Sequence, residues 1–262
     1  MSEVLDLLGR GDLRVLGRII GSSNSALLVE VSLDGQTALA IHKPIAFERP
    51  LWDYPNGDLA HREHAAYLIS EAGGFEVVPP TVVREGPWGL GSTQQWVGDP
   101  DQPVDPVVVV CAAAEVPQEW LRVIEGQDED GEAVVLAHAA DSAVRSVAVL
   151  DAVLNNSDRK GSHLVRVDNG VRGFDHGVSL GVQPKLRSVL WGWAGDPLPS
   201  ADVDRLDQLA SALSEPILRG ALTTCLTADE VAALEARVAR LRRTRRHPVP
   251  TTDWPAIPWP AM

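Results

Sequence analysis

Apolar residues recur at strand-like spacing early in the chain and at helical spacing later, and this change of period divides it. Ala26 to Leu33 is rich in Leu and Val and alternates imperfectly, Thr37 to Lys43 reads as a second strand, and Asp34-Gly35 lies between them. An Asp-Gly pair between two such runs predicts a hairpin, because both central residues of its tight turn need positive φ. Counting outward from that turn sets Leu33 opposite Gln36, Val29 opposite Ala40 and Ala26 opposite Lys43. Leu59 to Ala72 predicts a helix closed by Gly73-Gly74. Extended structure resumes over Val77 to Val83, turns at Glu85-Gly86-Pro87 and continues in a short strand from Ser92 to Val97. Gly98 to Asp105, with its prolines and aspartates, reads as a linker between lobes.

The second half reads as mainly helical. Val107 to Leu121 is apolar but ambiguous in type. Glu132 to Leu154 predicts a long central helix, with Val144, Val147, Ala148 and Leu154 at helical spacing. Val203 to Leu213 and Ala228 to Arg243 are further helices, the last opened by Thr227 with Glu230 three residues on, which is a capping box. Pro248 to Met262 is rich in proline and reads as irregular, docked on the body through Trp254 and Trp259.

Composition adds limits. The 262 residues suit one large domain or two modest lobes, and 45% apolar with 23% charged residues is the make-up of a globular chain. The net charge is −13 although Arg237, Arg240, Arg242, Arg243, Arg245 and Arg246 fall in one short segment. So acidic a body predicts no nucleic-acid partner, and any anion must be held by a local cluster of donors. The arginine run itself reads as a solvated helix end. Cys111 and Cys225 lack CxxC spacing, which argues against a disulfide scaffold or a structural zinc site. The first residues carry no long apolar run, and Pro106 to Ala114 falls far short of the roughly 18 residues that span a bilayer. The expectation is a cytoplasmic protein without signal peptide or transmembrane segment, and nothing sets its oligomeric state.

Two hairpins gather polar residues. The first places Lys43 beside Gly21-Ser22-Ser23-Asn24-Ser25, a small polar loop whose backbone N–H groups can wrap an anion, or which is an ordinary polar turn. The second follows the loop Asn155 to His163. With Asn169-Gly170 as its turn, Val167 faces Arg172, Val165 faces Phe174 and Leu164 faces Asp175, so His163 and Asp175 are near neighbours and Asp158 enters at the same end. Two carboxylates, an imidazole and the cations Arg159 and Lys160 then converge, as magnesium and phosphate chemistry require. The plainer alternative is a surface hairpin decorated with charges.

Taken in order, Lys43 on a hairpin strand, Glu63 within His61 to Leu68, Val78-Pro79-Pro80-Thr81, Asn156-Ser157-Asp158-Arg159 and Phe174-Asp175-His176-Gly177 resemble the phosphatidylinositol 3/4-kinase-like superfamily. Type II phosphatidylinositol 4-kinases and toxin-type serine kinases are relatives. The likeness is greatest to an actinobacterial PI3/PI4-kinase-like group that shares the Glu48 to Asp53 and Leu190 to Gly195 segments.

The resemblance implies an α+β, two-lobed protein-kinase-like fold, with a β-rich lobe over residues 1–98 and a mostly helical lobe over 99–262. It implies an ATP-dependent phosphotransferase using Mg2+ or Mn2+, whose acceptor hydroxyl lies on a small molecule, a lipid headgroup or a protein. Ser22, Ser23, Asn24 and Ser25 would cover the phosphates, Lys43 would bind them, and Glu63 would hold Lys43. Gln94, Gln95, Trp96 and Val97 would flank adenine. Asp158 would be the catalytic aspartate, Arg159 and Lys160 would neutralise transferring charge, and Asp175 would hold the metal. His163 stands where the superfamily has a metal-binding asparagine. Imidazole is a poorer magnesium ligand than an amide oxygen, so a nucleotide-binding pseudokinase acting as a regulatory module is the alternative.

Overall fold

The structure is a computed structural model that describes residues 3–19, 26–55, 57–98, 105–167 and 170–262. The first sheet has five strands: β1 (Asp12–Arg18), β2 (Leu27–Leu33), β3 (Gln36–Pro44), β4 (Thr81–Gly86) and β5 (Gly89–Gln95). They lie in the order β1-β2-β3-β5-β4, each pair antiparallel. The expected register holds, with Leu33 opposite Gln36 and Val29 opposite Ala40. Asp34 and Gly35 both have positive φ, 49° and 82°, as the two-residue turn requires. The helix α1 (Glu3–Arg10), not anticipated from the sequence, buries Leu7 and Leu8 against Leu27, Val29 and Val31 of this sheet.

The helix α2 (Leu59–Ala72) has the expected limits. Asp58 caps its first turn by accepting from His61 N, and the left-handed closing residue is Gly74, at φ 67°. Neighbours cover several sides of α2: β4 and β5 from the sheet, and α4 (Ser200–Leu213) and α5 (Pro216–Thr223) from the helical part. Arg62 and Glu63 are therefore charged residues in a buried helix, 2% and 3% exposed, and each needs a specific partner.

The second half departs from expectation first in its secondary structure. Residues 108–138 form a three-stranded antiparallel sheet, β6 (Val108–Ala112), β7 (Leu121–Gln127) and β8 (Ala133–His138), in the order β6-β8-β7. The long helix expected over Glu132 to Leu154 is thus β8 followed by α3 (Ser142–Leu154). Asp141 breaks the run by capping α3, accepting from the N–H groups of Ala143 and Val144. A short apolar segment such as Ala-Val-Val-Leu-Ala has no period long enough to separate strand from helix.

The helix α6 (Ala228–Thr244) carries the expected capping box of Thr227 and Glu230. The main core joins α3, α4 and α6 through Val147, Leu150, Leu206, Leu209, Leu234 and Val238. The hairpin β9 (Leu164–Val167) and β10 (Gly170–Gly173) pairs Val165 with Arg172 and Leu164 with Gly173. That is two residues from the expected pairing, because Gly170 is already opposite Val167 and the chain reverses one residue earlier. A shift of two keeps every side chain on its expected face.

The segment after α6 is irregular, as expected, but Trp259 is 88% exposed and docks nothing. Its anchors are Trp254, whose ring lies 6.1 Å from that of Trp52, and the carbonyls of Pro255, Ala256, Ile257 and Ala261. Most of the expected linker, residues 99–104, lies outside the described residues, as does the loop Ser22 to Ser25.

Candidate active site

Lys43 lies near the end of β3, and the alternation of the strand sends it to the face opposite His42, which is fully buried. Its Nζ donates to Glu63 Oε1 at 2.5 Å and to Asp175 Oδ1 at 2.8 Å. The other Glu63 oxygen accepts from His176 N at 2.9 Å. One buried carboxylate on α2 thus ties the sheet to the loop after β10. Burial opposes the Lys43 ammonium, but Asp175 and Glu63 outweigh it and hold its pKa above the ordinary lysine value. The Lys43 charge, acting against burial, holds the Asp175 carboxyl well below the usual carboxylate range. Lys43 and Asp175 are both ionised at neutral pH.

Asp175 occupies the left-handed region at φ 61°. Aspartate tolerates that conformation better than most residues, at a cost of order 1 kcal/mol. The His163 Nε2 is 3.4 Å from Asp175 Oδ2, so the expected neighbours do meet. Burial pushes the His163 pKa down to about 4, leaving a neutral imidazole, and its Nδ1 is buried without a partner among the described residues. His176 is fully buried and bonds Arg159 through Nε2.

Asp158 is held from two directions. Its N–H donates to Asn156 Oδ1 at 3.0 Å, and its Oδ2 is 3.2 Å from Lys160 Nζ. Burial raises its pKa, Lys160 opposes that shift, and Asp175 adds to it. Asp158 and Asp175 therefore sense each other's charge, and their side chains are 29% and 47% exposed.

Arg159 is placed differently from the sequence expectation. It is fully buried and pairs with Asp151 of α3 at 2.9 Å, and it also donates to Phe174 O at 3.0 Å. A guanidinium held in this way braces the Asp158 loop against the Asp175 loop and has no donor turned to an incoming charge. Asp151 was not picked out from the sequence; an acid inside an otherwise apolar helix was its signal. Tyr54 was also missed: its hydroxyl meets Ser157 Oγ at 2.9 Å, next to Asp158.

At the other end of the cleft, Gln95 N donates to Pro80 O and Trp96 N to Leu39 O, so the chain leaves β5 tied to both neighbours. Gln95 pairs with Ala40, three residues from Lys43, or about 10 Å along a strand. Gln94 is turned instead into the core, where it donates to Thr81 Oγ1. Val97 is half-buried beside Trp96. Ser22, Ser23, Asn24 and Ser25 fall outside the described residues; on either side of them Ile19 N donates to Ala26 O. Lys185 is paired with Asp53, and Arg187 donates to Pro255 O and Ile257 O.

Among the described residues no group of three or more His, Cys, Asp or Glu is arranged to hold a metal by itself. Magnesium needs no such group, since it commonly shares one or two carboxylates with substrate phosphates and water. Asp175, ionised and half exposed, fits that role with Asp158 beside it. No helix of the described residues is long and apolar enough to cross a membrane.

No family model matches the chain. Protein Rv2133c of Mycobacterium tuberculosis is 42% identical over 264 residues, covering 98% of this chain and 94% of that protein. Among solved structures, the Golgi casein kinase with Mn/ADP bound superposes with a TM-score of 0.55 at 14% identity, over 92% of this chain and 74% of that one. A second structure of the Golgi casein kinase gives 0.54 at 15% identity, over 92% and 73%. The fold is kinase-like.

Proposed function

The chain belongs to the family of Rv2133c, and we propose from this premise and the site that it is a kinase-like phosphotransferase transferring the γ-phosphate of ATP to a hydroxyl. One observation carries the reading: Lys43 of the first sheet pairs with Asp175 from a distant loop, and Asp158, partly exposed like Asp175, is close enough to feel its charge. Lys43, oriented by Glu63, binds the α- and β-phosphates. The loop Ser22 to Ser25 covers them, and the adenine lies along the Gln95-Trp96-Val97 edge. Bound magnesium or manganese, held by Asp175, would neutralise charge on the phosphates. Asp158 accepts the proton as the acceptor oxygen forms its bond to phosphorus and the bond from the γ-phosphorus to the bridging oxygen of ADP breaks. Positioning and charge stabilisation account for most catalysis of this kind.

Lys160 balances charge beside Asp158, whereas Arg159 acts at one remove, through the loop it braces. The order of the motifs supports kinship with the PI3/PI4-kinase-like superfamily and a small lobe over residues 1–98. The acceptor is a hydroxyl on a small molecule, lipid headgroup or protein.

His163 favours a second reading. Its neutral imidazole offers nitrogen where an amide oxygen is expected, and a pseudokinase that binds nucleotide without turning it over has the same outline. Thermal stabilisation by ATP with Mg2+ or Mn2+, followed by an assay of ATP hydrolysis and autophosphorylation, separates the two. Turnover lost in Asp158→Asn and Asp175→Asn supports the transferase, stabilisation without turnover the pseudokinase, and absence of both overturns the nucleotide site.

A further inference from the structure

A chain of net charge −13 collects cations at a second place. The later turns of α6, the segment that follows it and the stretch 182–186 border an open cavity of about 630 Å3 whose lining includes none of Lys43, Asp158 and Asp175. Arg237, Arg240 and Arg246 all reach it, and no aspartate or glutamate does. Among the described residues none of the three is in an ion pair. Arg237 donates to the carbonyls of Val153 and Gly181, and Arg246 to that of Gly195. These neutral oxygens fix the guanidinium groups without cancelling their charge. Burial, with Arg240 adding to it, pulls the Arg237 pKa down to about 10, and the raising effects of Tyr54 and Glu230 do not offset it.

The rest of the wall is of another kind. Val182, Leu186, Trp191 and Val249 line it, and Val182 and Val249 are 53% and 62% exposed. The volume is in the range of small-molecule sites, which join an apolar wall to a few polar anchors. An inorganic anion satisfies the arginines and leaves the apolar wall wet, whereas a neutral apolar molecule covers the wall and leaves the cations unanswered.

We propose that this cavity binds a monomeric anionic amphiphile, a carboxylate or phosphate head on the arginines with an alkyl chain laid over Val182, Leu186, Trp191 and Val249. This site is independent of the phosphotransferase reading, since it shares no residue with that site.

The test is calorimetric titration of the full chain, checked by tryptophan fluorescence, with decanoate and decyl phosphate below their micellar concentrations. Decanol and inorganic phosphate serve as the two half-ligands. At least one amphiphile is expected to bind at one per chain and at least tenfold more tightly than either half-ligand, and the tighter of the two identifies the head group. Arg240→Ala, and Ala236→Glu, which sets a carboxylate one helical turn from Arg240, are expected to weaken that binding at least tenfold. Both positions are exposed on α6, so the thermal midpoint is expected to stay unchanged. Decanol binding as tightly as the anions, neither amphiphile binding, or both variants binding like the parent would overturn the proposal.

Discussion

Lys43 Nζ stands 2.8 Å from Asp175 Oδ1 across 132 residues of chain, with Glu63 on its other side. In the proposed site this pair would set where a phosphate sits, because the ammonium is already oriented and the carboxylate is left half exposed. Lys43→Met and Asp175→Asn are each expected to lower ATP turnover by about a hundredfold or more, the scale for removing one stabilising group from a transition state. Asp175→Asn is also expected to remove most of the thermal stabilisation given by ADP with Mn2+. Turnover equal to that of the parent protein in both variants would refute the assignment.

Arg159 and Asp151 form a fully buried pair under the same site. Removing one partner leaves an unanswered buried charge, which costs about 3–5 kcal/mol. Asp151→Ala and Arg159→Ala are therefore expected to lose roughly that much in urea denaturation. Arg159→Lys is expected to rescue little, since an ammonium cannot span Asp151, Phe174 O and His176 together. A loss below 1 kcal/mol in both alanine variants would show the brace to be unimportant.

Much of this was legible from short-range patterns. The Asp34-Gly35 turn set the β2–β3 register, and Gly73-Gly74 and Thr227 bounded helices, because those rules act within a few residues. Residues 108–138 were not legible: β6 and β8 are sheet only because each has a partner distant along the chain. The same limit applied at the site. Spacing placed His163 beside Asp175 even with the hairpin register two residues out. Yet whether Arg159 faced the cleft or the core depended on Asp151, an acid inside α3 that no local rule connects to it.

Acid is expected to destabilise the fold before it titrates the carboxylates of the site. Burial lowers the pKa of His42, His138 and His176, and it lowers that of His247 to about 4, with Arg145 adding to the effect. The unfolded chain takes up these protons near pH 6.5, which the folded His247 does not until about pH 4. Between those values the unfolded state binds more protons, so stability falls as pH falls, and the His247 contribution levels off below about 4. His247→Gln, which keeps an acceptor for Arg145, is expected to lose less stability between pH 7 and 4, by on the order of 2 kcal/mol. Parallel stability profiles for the parent and the variant would contradict this.

The segment after Asp253 bears on the Asp158 loop through its main chain. Ala256 O accepts from both Ser188 N and Trp191 Nε1, Pro255 O and Ile257 O accept from Arg187, and Ala261 O accepts from Gly161 N. Gly161 follows Asp158 by three residues, and Ser188 bridges to Arg159. Removing residues 254–262 leaves those donors without partners and exposes the side of Trp52 that Trp254 now flanks. At about 1 kcal/mol for each hydrogen bond, the loss comes to roughly 3–5 kcal/mol. That corresponds to a fall of roughly 10 °C in melting temperature for a chain of this size. Turnover is expected to fall with it at temperatures where the truncated chain is still folded, because Gly161 and Arg159 flank the loop that carries Asp158. A midpoint within about 2 °C of the parent, with unchanged turnover, would show that the Asp158 loop holds its shape without this strap.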